Sequence, residues 1–276
     1  MRDVLELARL HPFGTVGAVV VLLIALAAVF APLLALAPPE KQSIAISLQG
    51  PSAAHPLGTD DLGRDILSRL LYGARVSLGV GFASTVIATG VGVVAGLVSG
   101  FVGGWVEAVI MRATDVLLAF PTLILAVAIV GVLGPNLNNA TLAIAIAALP
   151  RFARIIRAET VRFKAAEFVE AAVSIGVRDR NIVLRHILPN TAGLIVVQFA
   201  LSVAAAILNE ASLGFLGLGV QPPTPSWGSM LRAGYPFVAQ APWIAVASGL
   251  AISITVLAST LLGDAIRDHL DPRLRR

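Results

Sequence analysis

Residues 167–190, EFVEAAVSIGVRDRNIVLRHILPN, form a polar and basic stretch between two hydrophobic segments. Those segments approach the roughly 20 apolar residues that a helix needs to cross a bilayer. Membrane insertion alone does not require a polar stretch of this kind. We therefore interpret it as the place where a separate motor protein docks, and the remainder of the chain as the pathway that the motor drives.

The first half of this stretch predicts a short helix that ends at a glycine. Glu167 and Glu170 lie in its N-terminal half, where the helix dipole stabilises carboxylates. Gly176 is placed to end the helix in a left-handed conformation. Apolar residues at steps of three and four predict one hydrophobic stripe, made of Ala165, Phe168, Ala172 and Ile175.

The second half predicts another short helix, from about Arg178 to Ile187. This helix has to stop before Pro189, because the residue that precedes a proline, here Leu188, is disfavoured in the helical region. A hydrophobic span then begins near Thr191. The stretch is thus predicted to be two rigid pieces that are hinged at a glycine.

The composition is typical of a polytopic membrane protein. Of the 276 residues, 57% are hydrophobic and 13% are charged, and the mean hydropathy is +0.87. These values lie outside the usual range of soluble domains. The chain has no cysteine, which excludes disulfides, thiolate metal sites and thiol catalysis.

Charge-poor segments predict an all-α polytopic fold with six transmembrane helices. The predicted spans are residues 13–37, 76–106, 115–133, 191–208 and 243–262. A further span begins near residue 140 and runs out into Arg151, Arg154 and Arg157, which are predicted to mark its emergence from the hydrocarbon. A cleaved signal peptide is the alternative for the first span, but the hydrophobic region of a signal is only about 7 to 15 residues long.

We divide the chain into three parts. They are an N-terminal segment with the first span (1–38), a polar segment with an amphipathic helix (39–75) and a core of five spans (76–276). The core contains the loop 162–190 and a Gly/Pro-rich loop, 211–242, whose prolines forbid a regular membrane helix.

The amphipathic helix in the segment 39–75 is predicted to begin near residues 59–61 and to lie on the membrane surface. It has either no ligand or a partner on that side. Its apolar side is Leu62, Ile66, Leu67, Leu70 and Leu71, and its polar side is Asp61, Arg64, Asp65 and Arg69.

Gly92, Gly96 and Gly100 repeat every four residues in the second span. Small residues at this spacing allow two helices to approach closely. We expect this contact within the chain rather than between two chains.

The positions of lysine and arginine predict the orientation. If both termini are cytoplasmic, Arg2, Arg9, Arg273, Arg275, Arg276 and the polar stretch lie inside the cell. Only five of the 20 basic residues then remain outside, namely Lys41, Arg64, Arg69, Arg75 and Arg232. This is a clear positive-inside bias, and it makes the segments 39–75 and 211–242 external.

Glu170-Ala171-Ala172, then Gly176, then His186-Ile187-Leu188-Pro189 resembles the EAA motif of the permeases of binding-protein-dependent ABC importers. The family has this motif between its fourth and fifth spans, as here, with an aliphatic residue at the position of His186. Residues 55–78 and 211–231, HPLGTDDLGRDILSRLLYGARVSL and ASLGFLGLGVQPPTPSWGSML, resemble the C-type permease of dipeptide, oligopeptide and nickel importers. The resemblance covers nearly the whole chain.

The resemblance implies the transmembrane domain of a type I ABC importer in the bacterial plasma membrane. It implies that the hinged helices insert as a coupling helix into an ATPase, with Leu188 and Pro189 fixing their exit. The residues implied in coupling are Glu167, Glu170, Ala171, Ala172, Gly176, Arg178, Leu188 and Pro189.

The resemblance also implies partners. They are a second, homologous permease in a heterodimer, one or two cytoplasmic ATPase subunits that bind ATP and Mg²⁺, and an external substrate-binding protein. This chain itself is predicted to hold no cofactor and no metal, and to bind lipid and solute but no nucleic acid.

Other classes of protein fit the sequence less well. It has no GxxxxGK[ST] phosphate loop, and its only lysines are Lys41 and Lys164, so a partner is expected to hydrolyse ATP. An ion-driven carrier, the alternative from a different class, commonly has ionisable residues in mid-membrane, whereas Asp115, Glu210 and Asp264 are predicted at span ends. Scattered histidines and the absence of a serine nucleophile motif argue against an enzyme.

Asn209 and Glu210, at the predicted outer end of the fifth span, are the candidates for the substrate path. Glu210 either meets the amino terminus of a peptide or caps a helix end that faces water. The predicted solute is a di- or oligopeptide, with nickel or another small solute as the alternative.

Overall fold

The computed structural model describes residues 12–270. Within that range the regular structure is helical, apart from an isolated antiparallel bridge between Thr59 and Asp65. The prediction that both termini are cytoplasmic rests in part on residues outside the described range, namely Arg2, Arg9, Arg273, Arg275 and Arg276.

The α-helices are α1 (Pro12–Val29), α2 (Ala31–Leu34), α3 (Ile66–Val102), α4 (Gly104–Leu118), α5 (Thr122–Leu133), α6 (Leu137–Lys164), α7 (Glu167–Ser174), α8 (Asp179–Ile182), α9 (Leu188–Phe215), α10 (Trp227–Gly234) and α11 (Pro242–Leu270). Single turns of 3-10 helix lie at Ile44–Ile46 and Tyr235–Phe237, and a π-helical turn at Val183–Ile187 joins α8 to α9.

Five helical stretches in the described residues are long and apolar enough to cross a membrane. They are α1, α3, α6, α11 and the continuous helix from Asp179 to Phe215, and α4 with α5 makes a sixth if the pair is one span. The prediction of an all-α fold with six spans is confirmed. The predicted third span, 115–133, is wrong as a single straight helix, because α4 and α5 are bent by 94°. Pro121 lacks an N–H and disfavours a helical Phe120 before it, and so the helix breaks there.

The bundle is built around the contact between α3 and α6, the most extensive in the described residues. A Cβ added to the glycines of α3 would lie 2.5 Å from Phe152 Cβ at Gly92, 2.7 Å from Ile156 Cβ at Gly96 and 2.7 Å from Thr160 Cβ at Gly100. The absence of side chains at these positions therefore lets the two helices touch along their backbones. The prediction that these glycines allow a close helix contact within the chain is confirmed.

The prediction of an amphipathic surface helix that begins near residues 59–61 is wrong in two respects: the helix begins later, and it is not separate from the span that follows it. The helix begins at Ile66, and the Asp65 carboxylate accepts a 2.7 Å hydrogen bond from the Ser68 N–H at its first turn. It then continues without a break to Val102, so the division that we placed at residue 75 falls inside α3.

Most of the predicted polar side of this segment does not face water. Arg64, Asp65 and Arg69 are buried, as is the neighbouring Asp60, whereas the Asp61 side chain is 33% exposed. The Arg64 Nε donates to Asp60 at 2.7 Å, and an Arg69 N–H donates to the Pro39 carbonyl at 2.9 Å. Periodicity identifies which residues share a side of a helix but not what covers that side, and here the charges cover one another. Residues 39–65 are a folded cap on one end of the bundle.

The Gly/Pro-rich loop is shorter than predicted, because α9 continues to Phe215. The loop also contains α10, which packs back into the bundle. Trp227 of α10 is buried and donates its indole N–H to the Leu70 carbonyl at 3.0 Å. A Cβ at Gly228 would lie 2.3 Å from the Ala211 carbonyl oxygen, so this glycine permits the approach.

We predict that Gly96→Ala destabilises the protein by about 1–3 kcal/mol, the usual cost of overpacking a core. Its new methyl would lie 2.7 Å from Ile156 Cβ and 2.8 Å from the Ala153 carbonyl oxygen. The matched control is Gly90→Ala in the same helix, where a Cβ meets nothing within 4 Å. Thermal unfolding of the purified variants measures the difference, and equal midpoints for the two would contradict the packing account.

Candidate functional site

The polar stretch lies against the ends of α3 and α6. Val169 and Ala172 of α7, with Ile182 and Ile187 beyond it, are buried in one hydrophobic cluster. That cluster includes Val93, Leu97 and Ile156 from the two long helices. Burial of these side chains fixes the stretch to the bundle, so a force applied to α7 acts directly on α3 and α6.

The face of α7 that packs on the bundle differs from the predicted stripe. Val169 and Ala172 are buried, whereas Phe168 is 42% exposed and Ile175 is 81% exposed. The short helix therefore has one apolar side against its own chain and further apolar residues on its open side. Helical spacing alone therefore does not predict which of the two sides packs against the bundle.

The predicted coupling residues of α7 divide between these two sides. Glu167, Glu170 and Ala171 are exposed, and Ala172 is buried. Val173, which sequence reasoning missed, is 58% exposed beside them. The open face is thus a small apolar surface with two carboxylates in the first turn, where unpaired N–H groups of the helix favour negative charge.

Gly176 has the left-handed conformation that the sequence predicts, with φ of +79°. Its N–H donates to the Val173 carbonyl at 2.9 Å, and the Val177 N–H donates to the Ala172 carbonyl at 3.0 Å. These two bonds form a Schellman motif, which satisfies carbonyls at the end of the helix. The glycine is exposed, and an added Cβ would meet nothing within 4 Å, so only its backbone conformation requires glycine.

The predicted stop before Pro189 is wrong. Leu188 is helical, with φ of −56° and ψ of −45°, and its N–H donates to the Val183 carbonyl in the π turn. The wider π turn changes the hydrogen-bond pattern just ahead of Pro189, and so the helix accommodates the missing N–H of the proline without a break. Arg178 is exposed in extended conformation before α8.

A groove of about 540 Å³ lies beside α7. It runs between the end of α3 and the exposed side of the short helix, with Glu170, Val173 and Asp179 on one wall. On the other wall Lys164 donates to the Phe101 carbonyl at 2.6 Å. The groove therefore combines an apolar floor with charges of both signs.

The two residues predicted for the substrate path are not in one site. Asn209 lines a cavity of about 490 Å³ between α6, α9 and the break between α4 and α5. Glu210 points elsewhere and is buried with 2% exposure, so it does not cap a helix end in water. Its carboxylate faces the hydroxyls of Ser77 and Ser226, but neither forms a hydrogen bond of good geometry with it.

Within residues 12–270 no three side chains of the histidine, cysteine, aspartate and glutamate types come together as a metal site. The prediction that the chain holds no cofactor is not tested by this observation. The chemistry of the site is that of a contact surface, made of exposed apolar and charged side chains.

Comparison with known proteins identifies two family matches. Residues 92–276 match the family described as "Binding-protein-dependent transport system inner membrane component". Residues 1–51 match the "N-terminal TM domain of oligopeptide transport permease C".

Individual relatives are similar over most of the chain. The dipeptide transport system permease protein DppC of Alkalihalophilus pseudofirmus is 42% identical over 274 residues, which is 99% of this chain and 90% of the relative. The glutathione transport system permease protein GsiD of Escherichia coli is 49% identical over 226 residues, 82% of this chain and 75% of the relative. The protein of that name from Pectobacterium atrosepticum is 44% identical over 227 residues, with the same coverage of 82% and 75%.

We predict that Gly176→Val abolishes solute uptake by the assembled transporter and leaves membrane insertion intact. A β-branched residue resists positive φ, and left-handed backbone costs about 1–2 kcal/mol even for simpler side chains. Gly193→Val is the control, since this helical glycine also has open space around a Cβ but no positive φ. ATP-dependent uptake and membrane content are measured for both, and normal uptake by Gly176→Val would mean that the left-handed turn is dispensable.

Proposed function

This chain belongs to the family of binding-protein-dependent transport system inner membrane components, and we propose that it forms half of the translocation pathway of an ATP-driven importer of di- or oligopeptides. The observation that carries the solute class is the 42% identity to a dipeptide permease over 99% of this chain. The 49% identity to a glutathione permease also favours a peptide over a metal ion, since glutathione is itself a small peptide.

An importer of this kind needs partners. We propose a second, homologous permease that completes the pathway, one or two cytoplasmic ATPases that bind ATP and Mg²⁺, and an external protein that delivers the solute. The cofactor chemistry then lies wholly outside this chain. A large exposed apolar surface on α3, including Val91, Val94 and Val98, is suited to lipid or to the second permease.

The proposed docking surface for the ATPase is the open face of α7. Glu167, Glu170 and Ala171 would contact the motor, with Arg178 beside them, and Ala172 would hold the helix on its own bundle. Gly176 would set the angle between α7 and α8. The burial of Val169 and Ala172 against α3 and α6 supports this proposal, because it makes α7 part of the rigid body that the motor has to move.

The helix that leaves this loop supports a mechanical role as well. Residues 179–215 are continuously helical through Leu188 and Pro189, and 37 residues at 1.5 Å each span about 55 Å. A rotation imposed at α8 would therefore reach Asn209, near the other end, without a flexible joint between them.

We propose that this loop is cytoplasmic and that the folded cap at 39–65 is external. The positive-inside distribution of the sequence supports this orientation. α3 starts next to the cap and ends beside α7, so the cap and the loop lie at opposite ends of this helix. The buried ion pairs of the cap make it a rigid platform on the side where a binding protein would arrive.

A cysteine scan tests the docking surface, because the chain has no cysteine of its own. Ala171→Cys should form a disulfide with a cysteine in the groove of the ATPase. Ala172→Cys, one position away but only 6% exposed, should not. Non-reducing gel electrophoresis of the intact complex gives the result. Absence of any cross-link from residue 167 to residue 180 would exclude docking at this loop.

Labelling with a membrane-impermeant maleimide tests the orientation. In intact cells the exposed Ala53→Cys of the cap should react, and Ala171→Cys should react only after the membrane is opened. Both positions are exposed in the fold, so a difference between them reports their side of the membrane. The reverse pattern would overturn the proposed topology.

A further inference from the structure

Three arginines of α6, Arg151, Arg154 and Arg157, lie at intervals of three residues, and the last two pair with acids of α4. The Arg157 Nε donates to Glu107 at 2.8 Å, and Arg154 pairs with Asp115 at 2.5 Å. Each of these guanidinium groups is thus neutralised by an acid of α4. Arg151 comes next along α6, and no acid partners it within residues 12–270.

Arg151 lacks a partner because α4 does not extend that far. The helix ends at Leu118, and the chain turns by 94° into α5. The turn leaves the cavity of about 490 Å³ in which Arg151 and Asn209 both take part. Ser202 and Thr122 add hydroxyls to its wall.

The electrostatics of this cavity favour an anion. An exposed guanidinium on a membrane-spanning helix is costly in contact with lipid, so the face of α6 that carries Arg151 has to meet water or a polar partner. Thr122 is the first residue of α5, and the first N–H groups of a helix have no acceptor within it and carry partial positive charge. The guanidinium and this helix end border the same space.

We propose that this cavity is the part of the translocation pathway contributed by this chain, and that Arg151 with Asn209 receives the terminal carboxylate of the peptide in transit. The inference rests on the proposed function, since it takes a peptide as the solute. A guanidinium binds a carboxylate through paired N–H groups, and the Asn209 amide supplies a further donor. Recognition of a terminal carboxylate accepts every side chain, as a peptide pathway requires.

An anionic lipid headgroup offers the same chemistry as a carboxylate, so the test has to separate the two. The complete transporter is reconstituted in liposomes with the permease partner, the ATPases and the binding protein. Uptake is measured for a peptide with a free carboxylate and for its C-terminal amide, chosen so that the binding protein retains both. The variants are Arg151→Gln and Arg151→Lys, with Arg112→Gln on exposed α4 surface as the control.

We expect Arg151→Gln to slow uptake of the free acid about tenfold, which corresponds to the loss of one charge-assisted hydrogen-bonded contact. Uptake of the amide should change little, Arg151→Lys should recover part of the difference, and Arg112→Gln should behave as the wild type. Thermal unfolding of each variant checks that the bundle is intact.

Three results would overturn the inference. Unchanged uptake of the acid by Arg151→Gln removes the role of this arginine. Equal losses for acid and amide assign it to lipid or to packing rather than to the carboxylate. A wild-type transporter that moves neither peptide would refute the proposed function and this inference together, which distinguishes that outcome from the first two.

Discussion

The close contact between α3 and α6 is the constraint on which the other features depend. Glycines at 92, 96 and 100 let the two helices meet along their backbones, which fixes the height and rotation of α6. One side of α6 is thereby committed to α3, and Arg154 and Arg157 pair with acids of α4. Its C-terminal end then provides, with α3, the surface on which α7 is buried. The proposed docking loop and the proposed carboxylate site are therefore both held by the same pair of helices.

The sequence predicts the spans well, because the cost of placing charge in hydrocarbon leaves long uncharged windows. It fails where charges are paired inside the protein. Arg64 and Arg69 are predicted on the polar side of a surface helix, yet both are buried and pair with Asp60, and Arg69 also donates to the Pro39 carbonyl. Such a network depends on residues far apart in the chain, so the spacing of polar and apolar residues within one segment does not predict it. The sequence also fails at Glu210, which is buried without a hydrogen-bond partner, because its burial depends on distant parts of the chain and not on its neighbours in the sequence.

The loop shows the same division between local and tertiary information. The left-handed Gly176 follows from local stereochemistry, and it is found as predicted. Which face of α7 is buried depends on contacts with α3 and α6, and the apolar spacing does not predict it. The helical Leu188 depends on a π turn that accommodates Pro189, and the predicted stop before the proline is wrong. The correction matters for mechanism, because a stop at Pro189 would have placed a joint between the loop and the pathway. A continuous helix transmits rotation instead.

The hydropathy and the burial of the spans support the proposal that α6 lines the pathway. α1 has the most apolar window, with a mean hydropathy of 2.4, and it is the least buried at 17%. α6 has the lowest value, 1.4, and the highest burial, 50%. A helix with arginines in its middle cannot face lipid on that side, so its polar positions have to be matched by protein or by water. Pairing with α4 accounts for Arg154 and Arg157, and Arg151, which no acid partners within residues 12–270, is left for the solute contact that we propose. The least hydrophobic span of an importer is thus the one in which solute contacts should be sought first.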